Sequence, residues 1–115
     1  MSNPASYVAS TDMHWSPTEK RIARQAFDLA LERELDEFVR ETKERASKLT
    51  ESSELWDFEK WLRERRKEID RDYDFRYSML TFVLCILIRK GRIQESDLAG
   101  LGEEKLNSIR HIVSQ

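Results

Sequence analysis

The sequence predicts an all-α fold in which a long helical stalk carries a small helical head. Only three Gly and two Pro occur among 115 residues, so few positions interrupt a helix. Apolar side chains recur every three or four residues from about residue 17 to 49 and again from about 53 to 71. A shorter and almost continuous apolar run follows at residues 79–88. Together, these patterns indicate two long amphipathic helices and a compact helical core.

Length and composition restrict the class of protein. A chain of 115 residues has the size of one domain. Charged side chains make up 37% of the residues but nearly cancel to a net charge of −2, which argues against nucleic acid as a partner. The single cysteine excludes an internal disulfide and predicts a reducing, cytoplasmic environment. No signal peptide is recognisable, and the apolar run is too short to span a bilayer, so no membrane insertion is expected.

The first helix has a clear predicted start. Residues 1–14 are small and polar without periodicity, which predicts a disordered tail before one helical domain over residues 15–115. Ser16 and Glu19 have the spacing of a capping box, and Pro17 suits the first helical position. We therefore expect the helix to begin at Pro17 and to continue to about residue 49.

This first helix is too long for a compact domain. About 33 residues extend about 50 Å at 1.5 Å per residue, whereas a compact monomer of this size is about 35 Å across. Its apolar stripe therefore needs further cover, and a second copy of the chain is the simplest candidate. The alternative is a helix that breaks near residues 41–48 and folds back. The residues of this stripe that are expected in the dimer interface are Leu35, Phe38 and Leu49.

The second helix is predicted over about residues 53–71, after a hydroxyl-rich junction that can cap it. One face of this helix carries apolar groups at helical spacing, namely Leu55, Phe58, Leu62, the stem of Arg65 and Ile69. Trp56 lies just outside this face, so it either anchors a partner or packs in the protein's own core. The basic concentration at residues 63–67 is either a solvated surface or a rim of donors for a partner rich in carboxylates.

The remaining residues, 73–115, predict the head, and about residues 16–72 predict the stalk. The central element of the head is a third helix over about residues 73–90, which is apolar nearly all round. Asp72 or Asp74 can cap this helix at its start.

Two shorter helices are expected after the third one. Gly91 suits a helix C-terminus, because glycine readily adopts the left-handed conformation found there. Residues 95–100 predict one helical turn, and residues 103–113 predict an amphipathic helix. The apolar side chains of this last helix that should point inward are Leu106, Ile109, Ile112 and Val113.

No arrangement of residues indicates catalysis, so the protein is not expected to be an enzyme. His14 and His111 are far apart in the sequence, and no Cys or His has metal-ligand spacing, so neither a metal nor another cofactor is expected. Cys85 lies within the apolar run and should be buried rather than nucleophilic. Most carboxylates alternate with Lys and Arg at helical spacing, which is typical of a solvated face.

Short groups of residues along the chain resemble the cyanobacterial fluorescence recovery protein family. The resemblance extends from Trp15 to near the C-terminus and depends on the order and spacing of the groups rather than on one diagnostic motif. These groups are Trp15-Ser16, Arg33-Glu34-Leu35-Asp36, Leu55-Trp56, Leu62, Arg66, Glu68-Ile69-Asp70, Tyr73-Asp74, Arg76, Phe82-Val83, Gly91 and Leu98.

The resemblance implies an all-helical antiparallel homodimer with a long stalk and two small heads, and no enzymatic activity. It implies binding to the orange carotenoid protein, chiefly to its C-terminal domain. Binding would speed the return of the red form to the orange form and promote detachment from the phycobilisome. Photoprotective quenching would then end and antenna fluorescence would recover. The implied location is the cytoplasm, with a peripheral position at the thylakoid surface through the phycobilisome.

The resemblance also implies a partner surface along the stalk. The family uses a Trp there, with an Asp four residues later and an Arg ten residues later. Trp56 and Arg66 match the Trp and the Arg of this pattern. Leu55 matches the Leu at the centre of the family's dimer interface, and Phe82 matches an aromatic residue of its head.

The sequence departs from the family pattern at two positions of the partner surface. Lys60 occupies the position of the Asp, and Glu59 occupies that of a neighbouring His. Either the partner differs in charge at this point, or Glu59 supplies the carboxylate one residue earlier. The alternative function is that of a family relative that keeps the dimeric scaffold but binds a different protein. The expected partner-binding residues are Trp56, Glu59, Lys60, Arg63, Arg66 and Phe82.

Overall fold

In the computed structural model, which describes residues 14–115, the chain folds into helices joined by short connections. The all-α prediction is confirmed, since no strand occurs within that range. The predicted tail lies outside the described residues except for His14. The elements are α1 (Pro17–Ser47), α2 (Ser52–Asp72), α3 (Leu80–Arg89), a 3-10 helix (Glu95–Leu98) and α4 (Glu103–Val113).

α1 begins where the sequence predicted. The Ser16 hydroxyl accepts a hydrogen bond from the Glu19 N–H at 3.1 Å, and the Glu19 carboxylate accepts one from the Ser16 N–H at 3.0 Å. Pro17 occupies the first turn. The helix then continues for 31 residues to Ser47 without interruption, so the predicted length is confirmed to within two residues.

α2 runs back antiparallel to the second half of α1, but its predicted hydroxyl cap is wrong. Glu51 is the N-cap residue, and the Glu54 carboxylate accepts a hydrogen bond from the Glu51 N–H at 2.8 Å. The same carboxylate accepts bonds from the Thr50 N–H at 3.0 Å and the Thr50 hydroxyl at 2.8 Å. A charged acceptor forms stronger hydrogen bonds than a hydroxyl, which favours Glu54 over the Ser and Thr side chains of the junction.

α3 begins at Leu80 rather than near residue 73, so the predicted start of this helix is wrong. Before it, Tyr73 and Phe75 both place their rings edge-on against Phe27 of α1, with centroid distances of 5.4 Å and 5.0 Å. Residues two apart share a side in an extended segment but not in a helix. Packing against Phe27 therefore favours an irregular backbone here.

Neither aspartate predicted to cap α3 does so. The Asp72 carboxylate lies 3.1 Å from the Lys90 ammonium, and the Asp74 carboxylate lies 2.6 Å from the Arg76 guanidinium. Met79 is the N-cap residue of α3 and makes no side-chain cap bond. Strong ionic partners nearby thus use both carboxylates.

The core lies between the first half of α1, α3, the 3-10 helix and α4, which together are called the core end here. Gly91, with φ of 73°, follows the C-terminus of α3 as predicted. α3 is not buried all round, because Phe82 and Ile86 are 44% and 36% exposed. The buried apolar residues of this core include Trp15, Ala23, Ala26, Phe27, Ala30, Leu80, Val83, Leu84, Cys85, Leu87, Ile93, Leu98, Leu101, Leu106 and Ile109.

The second half of α1 and the whole of α2 extend away from the core end and are called the helix pair here. The molecule measures 59 × 30 × 22 Å, with a radius of gyration of 17.7 Å, compared with about 13 Å for a compact domain of this size. The elongated shape is therefore confirmed. The division into stalk and head at residues 72 and 73 stays a prediction. Residues of the first half of α1 belong to the same core as those of α3 and α4. No helix within residues 14–115 is long and apolar enough to cross a membrane.

Candidate protein-interaction surface

The exposed side of α2 carries five of the six predicted partner-binding residues, which form the α2 surface: Trp56, Glu59, Lys60, Arg63 and Arg66. A helix turns about 100° per residue, so these positions lie within about one third of its circumference. Trp56 is 69% exposed. The alternative in which Trp56 packs into the core of its own chain is therefore wrong.

The cations of the α2 surface have only weak ionic partners on the same helix. Every side chain in these ion pairs is more than half exposed. Exposed pairs of this kind contribute about 0–1 kcal/mol, so the basic groups can turn toward a partner at little cost. The pairs are Lys60 with Glu64 at 3.8 Å, Arg63 with Glu59 at 3.6 Å, and Arg66 with Asp70 at 3.9 Å.

Phe82 belongs to a different part of the molecule. It lies on α3 in the core end, where Met79 and Ile86 at helical spacing are 38% and 36% exposed. The structure therefore places Phe82 in a second apolar patch and not within the α2 surface. Its predicted role in partner binding stays a prediction.

The four residues predicted for a dimer interface have different environments. Leu35 and Leu55 are 43% and 49% exposed and belong to the helix pair. Phe38 is half-buried because its ring packs edge-on against Trp61 of α2, at a centroid distance of 5.6 Å. Leu49 is half-buried in the turn between α1 and α2. Leu35 and Leu55 are thus accessible to another chain, whereas Phe38 mainly joins the two helices of its own chain.

A buried ionic cluster centred on Glu34 was not predicted from the sequence. Glu34 is fully buried, and its carboxylate lies 2.6 Å from the Arg65 guanidinium and 3.0 Å from the Lys90 ammonium. It also accepts hydrogen bonds from Arg92 at 3.1 Å and 3.2 Å and from the Tyr73 hydroxyl at 3.0 Å. One carboxylate thus joins α1 to α2, to the segment after α2 and to the residues after α3.

The cluster keeps Glu34 ionised. Burial raises the pKa of this carboxyl, but hydrogen bonds from Arg65, Lys90, Arg92 and Tyr73 outweigh burial and lower the pKa to about 2. The same contact acts in reverse on the phenol, since burial and the hydrogen bond to Glu34 raise the pKa of Tyr73. At neutral pH, a charged carboxylate therefore faces three cations.

Two sequence signals could have revealed this cluster. Glu34 continues the buried spacing of Phe27 and Ala30 along α1, so it occupies a core position. Arg65 similarly occupies the apolar face of α2, where the sequence analysis assigned a role only to its stem. An acid and a base that interrupt facing apolar stripes indicate a buried pair, because an unpaired buried charge is costly.

The prediction for Cys85 is confirmed. The side chain is 2% exposed, and burial raises the pKa of the thiol to about 11, so the reactive thiolate is rare at neutral pH. Across the part of the chain that the structure describes, no group of three or more His, Cys, Asp or Glu residues is arranged to hold a metal ion.

Comparison with known proteins establishes the family. A family model described as photoprotection regulator fluorescence recovery protein matches residues 15–113. The chain belongs to the fluorescence recovery protein family. This family is one of regulators of photoprotection and is not a known enzyme family.

The chain is also similar in sequence and structure to individual members of the fluorescence recovery protein family. The fluorescence recovery protein of Synechocystis sp. (strain ATCC 27184 / PCC 6803 / Kazusa) is 34% identical over 103 residues, which cover 90% of this chain and 94% of that protein. The structure of the Fremyella diplosiphon fluorescence recovery protein matches with a TM-score of 0.84 and 33% identity. The structure of the Synechocystis protein matches with a TM-score of 0.83 and 32% identity. Each structural match covers 89% of this chain and all of the other.

Proposed function

We propose that the protein is a non-enzymatic regulator that binds the orange carotenoid protein, chiefly its C-terminal domain. In this proposal, it accelerates the conversion of the red form to the orange form and promotes detachment from the phycobilisome. Photoprotective quenching then ends and antenna fluorescence recovers. The protein acts in the cytoplasm, at phycobilisomes on the thylakoid surface. Membership of the fluorescence recovery protein family supports this role.

The observation that carries the proposal is the exposure of Trp56. A side chain of this size that is 69% exposed offers a large apolar area to a partner. Arg63 and Arg66 lie on the same side of α2, about two and three turns farther along, and can donate hydrogen bonds to carboxylates of that partner. This combination of one aromatic anchor and neighbouring arginines is typical of the residues that dominate protein interfaces.

Acceleration requires that the regulator distinguish between states of its partner. A protein that binds two conformations equally cannot shift the equilibrium between them. The α2 surface must therefore bind the resting arrangement, or the transition toward it, more strongly than the red form. Trp56 and Arg66 are the groups that we expect to make this difference.

We further propose that the functional unit is an antiparallel homodimer. The helix pair leaves Leu35, Val39 and Leu55 exposed by 43%, 52% and 49%. These side chains lie on two long helices that one small core does not cover. A second copy of the same chain would bury them through a self-complementary contact.

A second candidate function is binding of a different protein by the same scaffold. Lys60 favours it, because the family pattern has a carboxylate at this position. The Lys60 side chain is 70% exposed, and its partner Glu64 is 3.8 Å away and also exposed, so the positive charge is directed to solvent. A partner with an acidic group at this point would suit this chain better than one with a basic group.

Recovery kinetics distinguish the two functions. The orange carotenoid protein is converted to its red form by light, and the return to orange is followed by absorbance in the dark, with and without the purified protein. The proposal predicts faster return at less than one dimer per carotenoid protein. An unchanged rate, with the added protein folded and dimeric, would favour the second function.

A further inference from the structure

Apolar packing secures α2 only weakly. Two of its 21 residues, Ile69 and Asp72, are buried, and both lie in its last turn. Nearer the start of α2, Trp61 contacts α1: it lies edge-on to Phe38 at 5.6 Å and has the Arg45 guanidinium over its ring at 4.3 Å. These groups are only half-buried or exposed. Within one chain, the position of α2 therefore needs a further constraint.

The Glu34 cluster supplies a constraint at the base of α2. Arg65 is the α2 residue that contacts Glu34 directly, and its side chain is only 12% exposed. The same guanidinium lies 3.3 Å from Glu68 of α2 and 3.7 Å from Glu41 of α1. Lys90 adds the end of α3 to the contact, since its ammonium lies 3.0 Å from Glu34 and 3.6 Å from Glu68. Three elements therefore converge on one buried carboxylate.

We propose that the Glu34 cluster is a latch that fixes the angle of α2 relative to α1 and the core end, and that Glu34 and Arg65 are positioning residues for the α2 surface. Arg65 faces the latch, whereas Arg66, the next residue, belongs to the α2 surface. Trp56 lies nine residues from Arg65, which is about 14 Å along the helix. A tilt of about 10° at the latch therefore moves Trp56 by about 2 Å.

The charges around the latch give the reason to expect that it opens when Glu34 is lost. Arg65, Lys90 and Arg92 would then lie close together without the carboxylate that separates them. Glu37 also contacts Arg92, but its side chain is 40% exposed, so it does not supply the buried acceptor that Glu34 provides. Arg65 would keep Glu68 at 3.3 Å and Glu41 at 3.7 Å, and Lys90 would keep Asp72 at 3.1 Å, but the fully buried acceptor that joins them would be gone. Loss of one partner of a buried ionic group is strongly unfavourable, and outward movement of α2 would return Arg65 to solvent together with Glu68.

Hydrogen exchange of the full-length protein tests the latch without the carotenoid protein. Glu34→Gln should speed exchange of α2 amides, residues 58–70, by about tenfold while α3 amides change by less than about twofold. Glu37→Gln is the matched control, since it makes the same chemical change at a more exposed member of the cluster, and it should leave both helices unchanged. An equal rise in α2 and α3, or no rise in α2, would overturn the proposal.

A second variant keeps the test decisive if Glu34→Gln does not fold. Arg65→Met removes only the α2 side of the contact and leaves Glu34 paired with Lys90 and Arg92. It should again speed exchange selectively in α2, whereas Lys67→Met, an exposed position on the same helix, should not. Glu34→Asp, which keeps the charge, should restore part of the protection. Arg65→Met without a change in α2 exchange would contradict the latch.

The link to partner binding rests on the proposed function and is tested separately. In recovery assays, Arg65→Met should raise the concentration of this protein that gives half-maximal acceleration by up to about tenfold. A saturating concentration of the variant should restore the rate. If the unaltered protein gives no acceleration, the proposed function fails while the exchange results still decide the latch. If α2 exchange rises but the half-maximal concentration does not, the positioning role is wrong.

Discussion

At the residue scale, the side chains of the α2 surface contribute little to the stability of the fold. Trp56 and Lys60 are exposed, and their contacts within the chain contribute little to its stability. The fold therefore does not determine which side chains stand at these two positions. The sequence could suggest Trp56 as an anchor, but it left the core alternative open because helical periodicity places a residue at the edge of a stripe only approximately.

Trp56→Ala and Arg66→Leu should each weaken binding of the orange carotenoid protein by about 1–4 kcal/mol, the range for residues that dominate interfaces. Trp56→Ala removes the aromatic area that the partner would bury, and Arg66→Leu removes the charged hydrogen-bond donors. Titration of recovery rates against protein concentration measures both effects. Arg66→Leu should remain dimeric, which separates loss of binding from loss of assembly. Unaltered recovery in both variants would show that the α2 surface is not the binding surface.

Lys60→Asp should increase activity toward the orange carotenoid protein, with the larger effect at low salt. Lysine has three donors and no acceptor, so it cannot replace the hydrogen bonds of the family's carboxylate. Glu59 is rotated by about 100° from this position and replaces it only in part. Salt screens exposed charges, with a Debye length of about 8 Å at 0.15 M. Recovery rates at two ionic strengths provide the measurement.

Lys43→Asp is the matched control for this prediction, because it makes the same change of charge at an exposed position of α1, outside the α2 surface. If Lys60→Asp lowers activity, the chain has a partner surface of its own. The role of the family's Asp in partner binding would then not carry over to position 60.

At the scale of elements, two local signals identified helix ends, whereas the side-chain caps predicted for α2 and α3 were wrong. The capping box at Ser16 and Glu19 identified the start of α1, and Gly91 identified the end of α3, because each depends on neighbouring residues alone. The start of α3 was wrong because Tyr73 and Phe75 pack on Phe27, which is distant in sequence. The Glu34 cluster was missed for the same reason, since its members come from four parts of the chain.

The Glu34 cluster should make stability fall in acid. The pKa of Glu34 in the folded protein is about 2, below its ordinary value of 4.5. A lowered pKa stabilises the folded state above the unfolded value, and this contribution is lost as the pH falls from about 4.5 to 2. Glu19, with a pKa also lowered to about 2, acts in the same direction. We expect Glu34 to contribute about 1–3 kcal/mol.

Urea unfolding followed by circular dichroism between pH 7 and pH 2 measures this dependence. Glu34→Gln should have a flatter profile over this interval, because the substituted side chain does not titrate. An unaltered protein with constant stability from pH 7 to pH 2.5 would contradict the assigned role of the cluster.

At the scale of the whole molecule, the length of the first helix was enough to predict an elongated shape. A first helix of 31 residues spans about 46 Å, which exceeds the width of a compact domain and accounts for most of the observed extent of 59 Å. The sequence did not show that the first half of α1 shares the core of α3 and α4. Apolar periodicity identifies the buried side of a helix but not the element that covers it.

Leu55→Glu should convert the dimer into monomers at micromolar concentration. Leu55 is 49% exposed in a single chain, and we expect a second copy to bury it. A buried charge without a partner costs several kcal/mol. Multi-angle light scattering measures the mass, and Ser53→Glu, an exposed position on the same helix, serves as the control. A stable monomer for the unaltered chain would remove the proposed dimer.

The adjacent positions of Arg65 and Arg66 have a consequence for how such proteins diverge. One residue faces the buried cluster and the other faces solvent, so the groups proposed to fix α2 and those proposed to bind a partner lie on different sides of the helix. Substitutions can accumulate on the outer side at little cost to folding. A descendant can therefore change its partner while keeping its architecture, and a lysine at position 60 is the kind of replacement that this freedom allows.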